Sequence, residues 1–304
     1  AARSGVRLWV LDEAGRCHEL LDPWCPAVRV AAGGDSGRRA EALLRARLGA
    51  APVKTARIEL FSSRLLEVWE ARLPPREQER LTAELKDLGG ELYDADINHL
   101  QAWHYERGHF PLAFGAFDAD DGLLRGAELH DDRLAVDYPL PALRTMRLRL
   151  SGSEVAGKLD PNHAPRGSLL VETERGLSEL QGPLDLQLET LARRLTEEDP
   201  DVIETEWGDS WLLPALAGAS ERCRVPLPLS RDPAQRIKAN DSRTFYSYGR
   251  PVHQHGSVTL RGRWHLDLRN SFMLRECGRA GLLELARMGA VPVQRAARST
   301  IGTT

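Results

Sequence analysis

Hydrophobic residues in the first 140 positions recur with two periods, each of which predicts one type of element. Alternation predicts strands, and spacings of three and four residues predict helices. Helices are expected between Ser36 and Gly49, and from Pro75 to Gly89. Strands are expected at 7–13, 16–21, 27–31, 57–61, 65–72 and from 91 onward. This order predicts a small α+β domain, which ends near an extended Pro-rich linker at 137–141.

The same patterns continue beyond the linker, with strands and helices now alternating. Leucines at 184, 188, 191 and 195 predict a helix over 184–197. Further helices are expected at 211–220 and 281–289, and strands at 146–152, 167–176, 202–203 and 262–268. Alternation of this kind predicts a mixed α/β sheet. The predicted fold class is therefore α/β, with an α+β N-terminal domain followed by a mixed-sheet domain.

Composition excludes some classes of protein. Of the 304 residues 42% are hydrophobic and 28% are charged, as in a folded globular chain. No uninterrupted apolar stretch approaches the length of a membrane span, and the first residues contain no secretory signal. The four cysteines are scattered, which favours a reducing compartment. We therefore predict a cytoplasmic protein without a membrane partner.

Charge is distributed unevenly along the chain. The net charge is −3, but residues 221–304 carry +9 and residues 1–220 carry −12. Such asymmetry points to phosphate binding, and the alternative is a basic surface without a partner.

The stretch 199–216 has the layout of an active-site edge. An apolar strand end is followed by a Gly-Asp-Ser turn and a second apolar run that opens a helix. Side chains at such a turn point into the crevice where α/β proteins bind ligands.

This stretch resembles the second exonuclease motif of family B DNA polymerases. The lead-in Asp199-Pro200-Asp201-Val202-Ile203 and the turn Trp207-Gly208-Asp209 stand at that motif's spacing. Leu212 occupies the position of its catalytic aspartate, before Leu213-Pro214. Three other stretches agree in order with the family, namely 92–111, 262–267 and 291–303.

The resemblance implies a domain organisation. It assigns 1–140 to the N-terminal α+β domain, 141–290 to a ribonuclease-H-like 3′–5′ exonuclease domain, and 291–304 to the connection toward a palm domain. Palm, fingers and thumb would complete a template-directed nucleotidyltransferase, in the same or a separate chain. Mg²⁺ is expected for that missing polymerase region, and no cofactor is expected in this chain.

Exonuclease chemistry in this family depends on carboxylates that hold two metal ions. The resemblance places the first pair at Leu150 and Gly152 and the second-motif acid at Leu212, so all three carboxylates are missing. The Tyr and Asp of the third motif have no counterpart. The sequence therefore predicts that proofreading is lost.

Several acids and histidines leave an alternative open. Asp209 and Asp267 remain near the expected crevice as weak metal candidates, and Glu154 follows the first strand. Displaced acids of this kind could serve a metal-dependent nuclease. Asp209 also suits a turn residue. His253 and His255 have a metal-like spacing, although two histidines alone are typical of a solvated loop.

The basic C-terminal part contains the candidate DNA contacts. Arginines and tyrosines interleave as they do on single-strand surfaces, and further arginines follow. The candidates are Arg243, Tyr246, Tyr248, Arg250, Arg261, Arg263 and Arg269. Buried tyrosines and solvated arginines are the alternative.

The sequence thus predicts a non-catalytic, DNA-binding scaffold for DNA synthesis in replication or repair. Its expected partners are DNA, as primer–template or single strand, and the polymerase region. A stand-alone subunit that binds a separate polymerase chain is the other alternative.

Overall fold

The computed structural model describes residues 5–59, 61–151, 168–234, 237, 239–240, 243–247, 250–254 and 256–299, and for 239–254 the backbone alone. Contacts divide the chain into two units. The first unit comprises Ala1–Leu8 and Glu19–Asp132, and the second comprises Trp9–His18 and Arg133–Thr304. The division thus falls at Asp132/Arg133, and residues 9–18 belong to the second unit. Assignment of these units to polymerase domains stays a prediction.

The first unit contains helices α1 to α3 and most of strands β1 to β8. The helices are α1 (Gly34–Leu48), α2 (Pro75–Asp87) and α3 (His99–Arg107). The strands are β1 (Val6–Leu11), β2 (Cys17–Asp22), β3 (Ala27–Ala31), β4 (Val53–Ile58), β5 (Leu65–Arg72), β6 (Leu92–Tyr93), β7 (Gly115–Asp120) and β8 (Leu123–Leu129).

Two four-stranded sheets are built from these strands, in the orders β4-β5-β3-β6 and β1-β2-β8-β7. Strand β3 pairs antiparallel with β5 and β6, so that Val28 and Val30 face the helices. They pack with Ala40 and Leu44 of α1 and with the leucines of α2 in one apolar core. The residues that set the helical and strand periods therefore meet in this core, and the predicted α+β arrangement is confirmed.

The second unit contains helices α4 to α7 and strands β9 to β17. The helices are α4 (Leu184–Glu198), α5 (Leu213–Cys223), α6 (Phe272–Met288) and α7 (Val293–Ala297). The strands are β9 (Thr145–Leu150), β10 (Leu169–Thr173), β11 (Gly176–Glu179), β12 (Val202–Thr205), β13 (Ala239–Asn240), β14 (Arg243–Ser247), β15 (Arg250–Gln254), β16 (Ser257–Val258) and β17 (Trp264–Asp267).

A five-stranded sheet of order β11-β10-β9-β12-β17 forms the centre of the second unit. Strand β12 runs parallel to both β9 and β17, whereas β10 is antiparallel to β9 and β11. The predicted mixed α/β sheet is therefore confirmed. Met146, Leu148 and Ile203 pack against the leucines of α4 in the largest apolar core.

Two segments differ from the prediction. No helix is among those predicted within 94–111, but Asn98 caps α3 through its side chain, and Gly108 closes it in a left-handed conformation. The predicted helix at 281–289 begins earlier, at Phe272, and continues across a non-helical Gly278. Local capping thus overrides weak periodicity in both places. Within the described residues, no helix is long and apolar enough to cross a membrane.

Candidate functional site

The carboxyl ends of the parallel strands β9, β12 and β17 meet at one edge of the central sheet. In α/β proteins this edge is the usual place for a ligand. A group of buried polar residues lies there, which we call the carboxyl-end cluster. It consists of Thr205, Asp209, His265, Asp267 and Arg298.

Local backbone geometry brings Asp209 to this edge. All four residues of β12 are buried, and the chain turns after it at Trp207, which has a φ of 62°. The following turn, Gly208–Leu212, is π-helical, and the N–H of Leu212 donates to the carbonyl oxygen of Trp207 at 2.8 Å. A Cβ at Gly208 would lie 1.9 Å from Oγ1 of Thr205, so the sharp approach requires glycine.

The carboxylate of Asp209 is saturated by donors of the protein itself. Its Oδ1 accepts from the backbone N–H of Val258 and from Nη2 of Arg298, both at 2.7 Å. Its Oδ2 accepts from Nδ2 of Asn270 at 2.8 Å and from Nε of Arg298 at 2.9 Å. The residue is 2% exposed. A metal ion could reach these oxygens only by displacing such donors.

Asp209 remains ionised despite its burial. Desolvation by itself raises the pKa of the carboxyl, but hydrogen bonds and positive charge from His265 and Arg298 hold that pKa well below its usual range. A permanent anion that is fully paired in the interior is typical of a structural group.

Asp267 occupies the end of β17 and organises the turn opposite. Its carboxylate accepts backbone N–H groups of Trp207 at 3.1 Å, Asp209 at 2.9 Å and Arg269 at 2.9 Å. Desolvation raises the pKa of Asp267, and the negative charge of Asp209 adds to that rise against the opposing backbone hydrogen bonds. The carboxylates of both weak metal candidates, Asp209 and Asp267, are therefore occupied by hydrogen bonds that join separate segments of the chain.

His265 connects the strands behind these acids. Its Nδ1 lies 2.8 Å from the carbonyl oxygen of Val258, and its Nε2 lies 2.8 Å from Oγ1 of Thr205. Because a carbonyl oxygen can only accept, Nδ1 carries a hydrogen and donates it to Val258. The ring is fully buried.

The positions that the resemblance assigns to catalytic acids are apolar where the structure describes them. Leu212 is 3% exposed and belongs to the large core of the second unit. Leu150 ends β9, opposite Leu169 of β10. Gly152 and Glu154 lie outside the described residues. Among the residues that are described, no group of three His, Cys, Asp or Glu side chains could hold a metal ion.

A second polar group lies at the opposite, amino end of β12 and explains the Asp-Pro-Asp lead-in. Nη2 of Arg231 donates to Asp199 Oδ2 at 2.9 Å and to Asp201 Oδ1 at 2.7 Å. The backbone N–H of Arg144 donates to Asp201 Oδ2 at 2.9 Å. These two aspartates therefore tie the segments of Arg144 and Arg231 to the start of the strand.

Arg263 belongs to this amino-end group, which corrects its place among the candidate DNA contacts. It is 5% exposed, and its guanidinium donates to Asp199 at 2.8 Å, to the carbonyl of Pro200 at 2.9 Å and to the carbonyl of Pro228. Since its donors face the interior, Arg263 is not part of the proposed contact surface.

Arg261 and Arg269 are the candidates whose side chains reach solvent. Arg261 has 52% of its side chain exposed and lies 3.8 Å from Asp232. Arg269 follows the end of β17 and pairs with Glu206 at 3.1 Å, with 39% of its side chain exposed. Both remain available for the proposed contact with phosphate.

The interleaved arginines and tyrosines fall on a β-hairpin. Strands β14 and β15 pair antiparallel, with Arg243 opposite Gln254 and Tyr246 opposite Pro251. The side chains of Arg243, Tyr246, Arg250 and His253, and the whole of Tyr248 and His255, lie outside the described residues. Their roles stay predictions.

Sequence reasoning did not identify Arg298 or Gln294 as members of the site. Oε1 of Gln294 accepts the backbone N–H groups of Leu260 at 3.0 Å and His265 at 2.9 Å. Arg298 closes over Asp209 from a position 89 residues later in the chain. The available signal was a glutamine on the short helix α7 and an arginine directly after it, and nothing in their spacing links them to Asp209.

Comparison with solved structures supports the fold. The chain is similar over 100% of its length to a structure described as the family B DNA polymerase from the hyperthermophilic archaeon Pyrobaculum calidifontis, with a TM-score of 0.69 and 18% identity. It covers 47% of that protein's chain, so it spans about half of its length. No family model and no curated protein matches the sequence. At this identity the likeness shows the fold alone.

Proposed function

We propose that this chain is the N-terminal and exonuclease-like region of a family B DNA polymerase that no longer proofreads. In this role the exonuclease-like domain contacts DNA and acts as a scaffold for template-directed synthesis. Palm, fingers and thumb, in the same or a separate chain, would supply the catalysis and its Mg²⁺.

One observation carries this proposal. The sheet edge that should hold metal-binding carboxylates has Leu150 and Leu212 at two acid positions, and its remaining Asp209 is bonded to Arg298, Asn270 and Val258. Two-metal hydrolysis needs free carboxylate oxygens, and Leu has none to offer. The polymerase-like fold is thus kept, whereas the chemistry of its exonuclease edge is not.

Support for DNA contact comes from charge and exposure. Residues 221–304 carry a net charge of +9. Arg261 and Arg269 expose their side chains in this part of the chain, and the β14–β15 hairpin lies between Arg231 and Arg261 in sequence. Exposed arginines bind phosphates and release the counterions that the phosphates had attracted.

Fluorescence anisotropy with labelled primer–template DNA tests the proposal. We expect binding that weakens linearly with log salt concentration. In the double variant Arg261→Ala with Arg269→Ala, the slope of log K against log salt concentration should be less steep by about 1.5. Each lost phosphate contact reduces the steepness by about 0.7–0.9. Arg175→Ala is the matched control, since Arg175 is exposed on the β10–β11 turn, away from these arginines in sequence.

The same experiment can contradict the proposal. Absence of salt-dependent binding, even after a palm-containing polymerase chain is added, would exclude a DNA-binding scaffold. If the double variant and Arg175→Ala lost the same amount of DNA affinity, the binding would depend on the total positive charge of the chain and not on Arg261 and Arg269.

A further inference from the structure

The first unit contains a cavity of about 620 Å³ that the carboxyl-end cluster does not explain. It is lined mainly by Arg29, Arg57, Arg72 and Arg107, together with Trp24 and Glu106. Cavities of roughly 300–1,000 Å³ are the size that binds small ligands. We call this feature the arginine cavity.

The charges of the arginine cavity are paired with one another. Four guanidinium groups and the carboxylate of Glu106 line the wall. Glu70 pairs with Arg29 at 2.9 Å and with Arg57 at 2.7 Å and is 13% exposed, and Asp22 pairs with Arg107 at 2.8 Å and is 3% exposed. Arg29 also pairs with the half-exposed Asp94 at 3.1 Å, and Arg72 pairs with Glu106 at 2.8 Å, so each guanidinium has an acidic partner.

Carboxylates hold the arginines of the cavity in fixed positions. Glu106 accepts from Arg29 at 3.0 Å, from Arg72 at 2.8 Å and from the indole N–H of Trp24 at 2.7 Å. Burial by itself raises the pKa of Glu106, but the hydrogen bonds from Arg72, Trp24 and Arg29 lower it to about 2. This acid therefore stays ionised and keeps its arginines oriented.

Each of three arginines also presents an outer surface to the cavity. Between 43% and 46% of the side chains of Arg57, Arg72 and Arg107 is exposed. A guanidinium that is held on one edge and open on the other loses little entropy when it binds a second anion. Phosphate oxygens match such forked donors.

From this geometry we infer that the arginine cavity is a binding site for a phosphate group, carried either by a free nucleotide or by a DNA strand. The site lies within the first unit. It does not depend on the DNA contacts that we propose for the second unit.

Isothermal titration calorimetry on the full chain at low ionic strength tests the inference. Three probes are used: inorganic phosphate, a deoxynucleoside 5′-monophosphate and a short single-stranded oligonucleotide. We expect saturable binding of the monophosphate that inorganic phosphate displaces. Binding of the oligonucleotide in competition with the monophosphate would identify a strand as the source of the phosphate, and binding of the two small anions alone would identify a free nucleotide.

Matched variants localise the binding. Arg57→Gln should lower the affinity for the monophosphate by about 3- to 10-fold, because one charge-assisted hydrogen bond is lost at a partly exposed position. Arg57→Lys keeps the charge and should recover part of the affinity. Arg45→Gln is the control, because Arg45 is an exposed arginine of α1 paired with Glu41, outside the cavity.

Two results would overturn the inference. One is the absence of saturable binding for all three probes. The other is equal affinity in Arg57→Gln and in the parent chain. The double variant of Arg261 and Arg269 distinguishes the proposed DNA contacts from the proposed phosphate site. It should leave the affinity for the monophosphate unchanged and should lower the affinity for DNA.

Discussion

The carboxyl-end cluster and the arginine cavity use the same charged groups in opposite arrangements. In the cluster, Arg298 turns inward and donates to the buried carboxylate of Asp209 and to the carbonyl oxygens of Gln294 and Val258. In the cavity, Arg57 and Arg72 bond to acids on one side and face open space on the other. The two regions therefore differ in how far their arginine side chains are exposed to solvent. This difference indicates a structural role for the carboxyl-end cluster and ligand binding for the arginine cavity.

The comparison also reverses the expectation from the sequence motifs. The stretch with the exonuclease layout is the closed one, because Leu212 packs in the core and Asp209 is saturated. The open cavity lies in the first unit, where no motif directed attention to a ligand. A motif records the shape of the backbone, whereas binding depends on which polar groups remain accessible.

The largest effect is expected from Asp209→Ala. Loss of the carboxylate leaves Arg298, Asn270 and the N–H of Val258 without their acceptor in a buried site. Breaking such a pair from one side costs about 3–5 kcal/mol of unfolding free energy. Chemical denaturation, with hydrogen exchange of β12 and α5, measures the loss in the second unit.

Asp35→Ala is the control for this measurement, because Asp35 is exposed and pairs with Arg38 on the surface of α1. It should change stability by less than about 1 kcal/mol. A similarly small change in Asp209→Ala would show that the cluster is not the closed structural group described above.

A smaller effect is expected from acid in the first unit. Burial lowers the pKa of His104 to about 4 from the usual 6.5. Below pH 6.5 His104 therefore binds a proton in the unfolded chain, whereas in the folded chain it does so only below about pH 4. Stability should fall across this window by up to about 3 kcal/mol, at 1.36 kcal/mol per pKa unit.

The variant His104→Phe should remove this part of the acid sensitivity, while His130→Gln, at an exposed site of the same unit, should not. The second unit should respond differently. Because the pKa of Asp209 is lowered in the folded chain, its carboxylate stabilises this unit at every pH above about 4, the ordinary aspartate value, and this stabilisation is lost only at lower pH. If both units lost stability equally between pH 6.5 and 4, the contrast would fail.

The smallest effect is expected from Arg57→Gln on stability. Arg57 is partly exposed, and Glu70 keeps its bond to Arg29 at 2.9 Å. The loss should stay below about 1 kcal/mol, as for surface ion pairs. Thermal unfolding of the variant beside Arg298→Gln gives the comparison. An equal loss in the two variants would mean that the cavity arginines are as structural as Arg298.

Much of the fold could be predicted because its signals are local. Leucines at helical spacing gave α4, and Val202-Ile203 gave the central strand that pairs with β9 and β17. Contacts between distant segments could not be predicted, since Arg298 approaches Asp209 across 89 positions and Glu106 approaches Arg29 across 77. For the same reason the burial of Arg263 could not be predicted, because its partners lie far away in sequence, in the segment 195–200 and at Pro228.

The central claim, that the carboxyl-end cluster is structural rather than catalytic, is tested most directly by a nuclease assay. The purified chain is incubated with 5′-labelled single-stranded DNA and Mg²⁺ or Mn²⁺, beside the variant Asp267→Asn. We predict that the DNA stays intact with both proteins and both metals. Metal-dependent shortening by the parent chain that disappears in a folded Asp267→Asn variant would contradict the account.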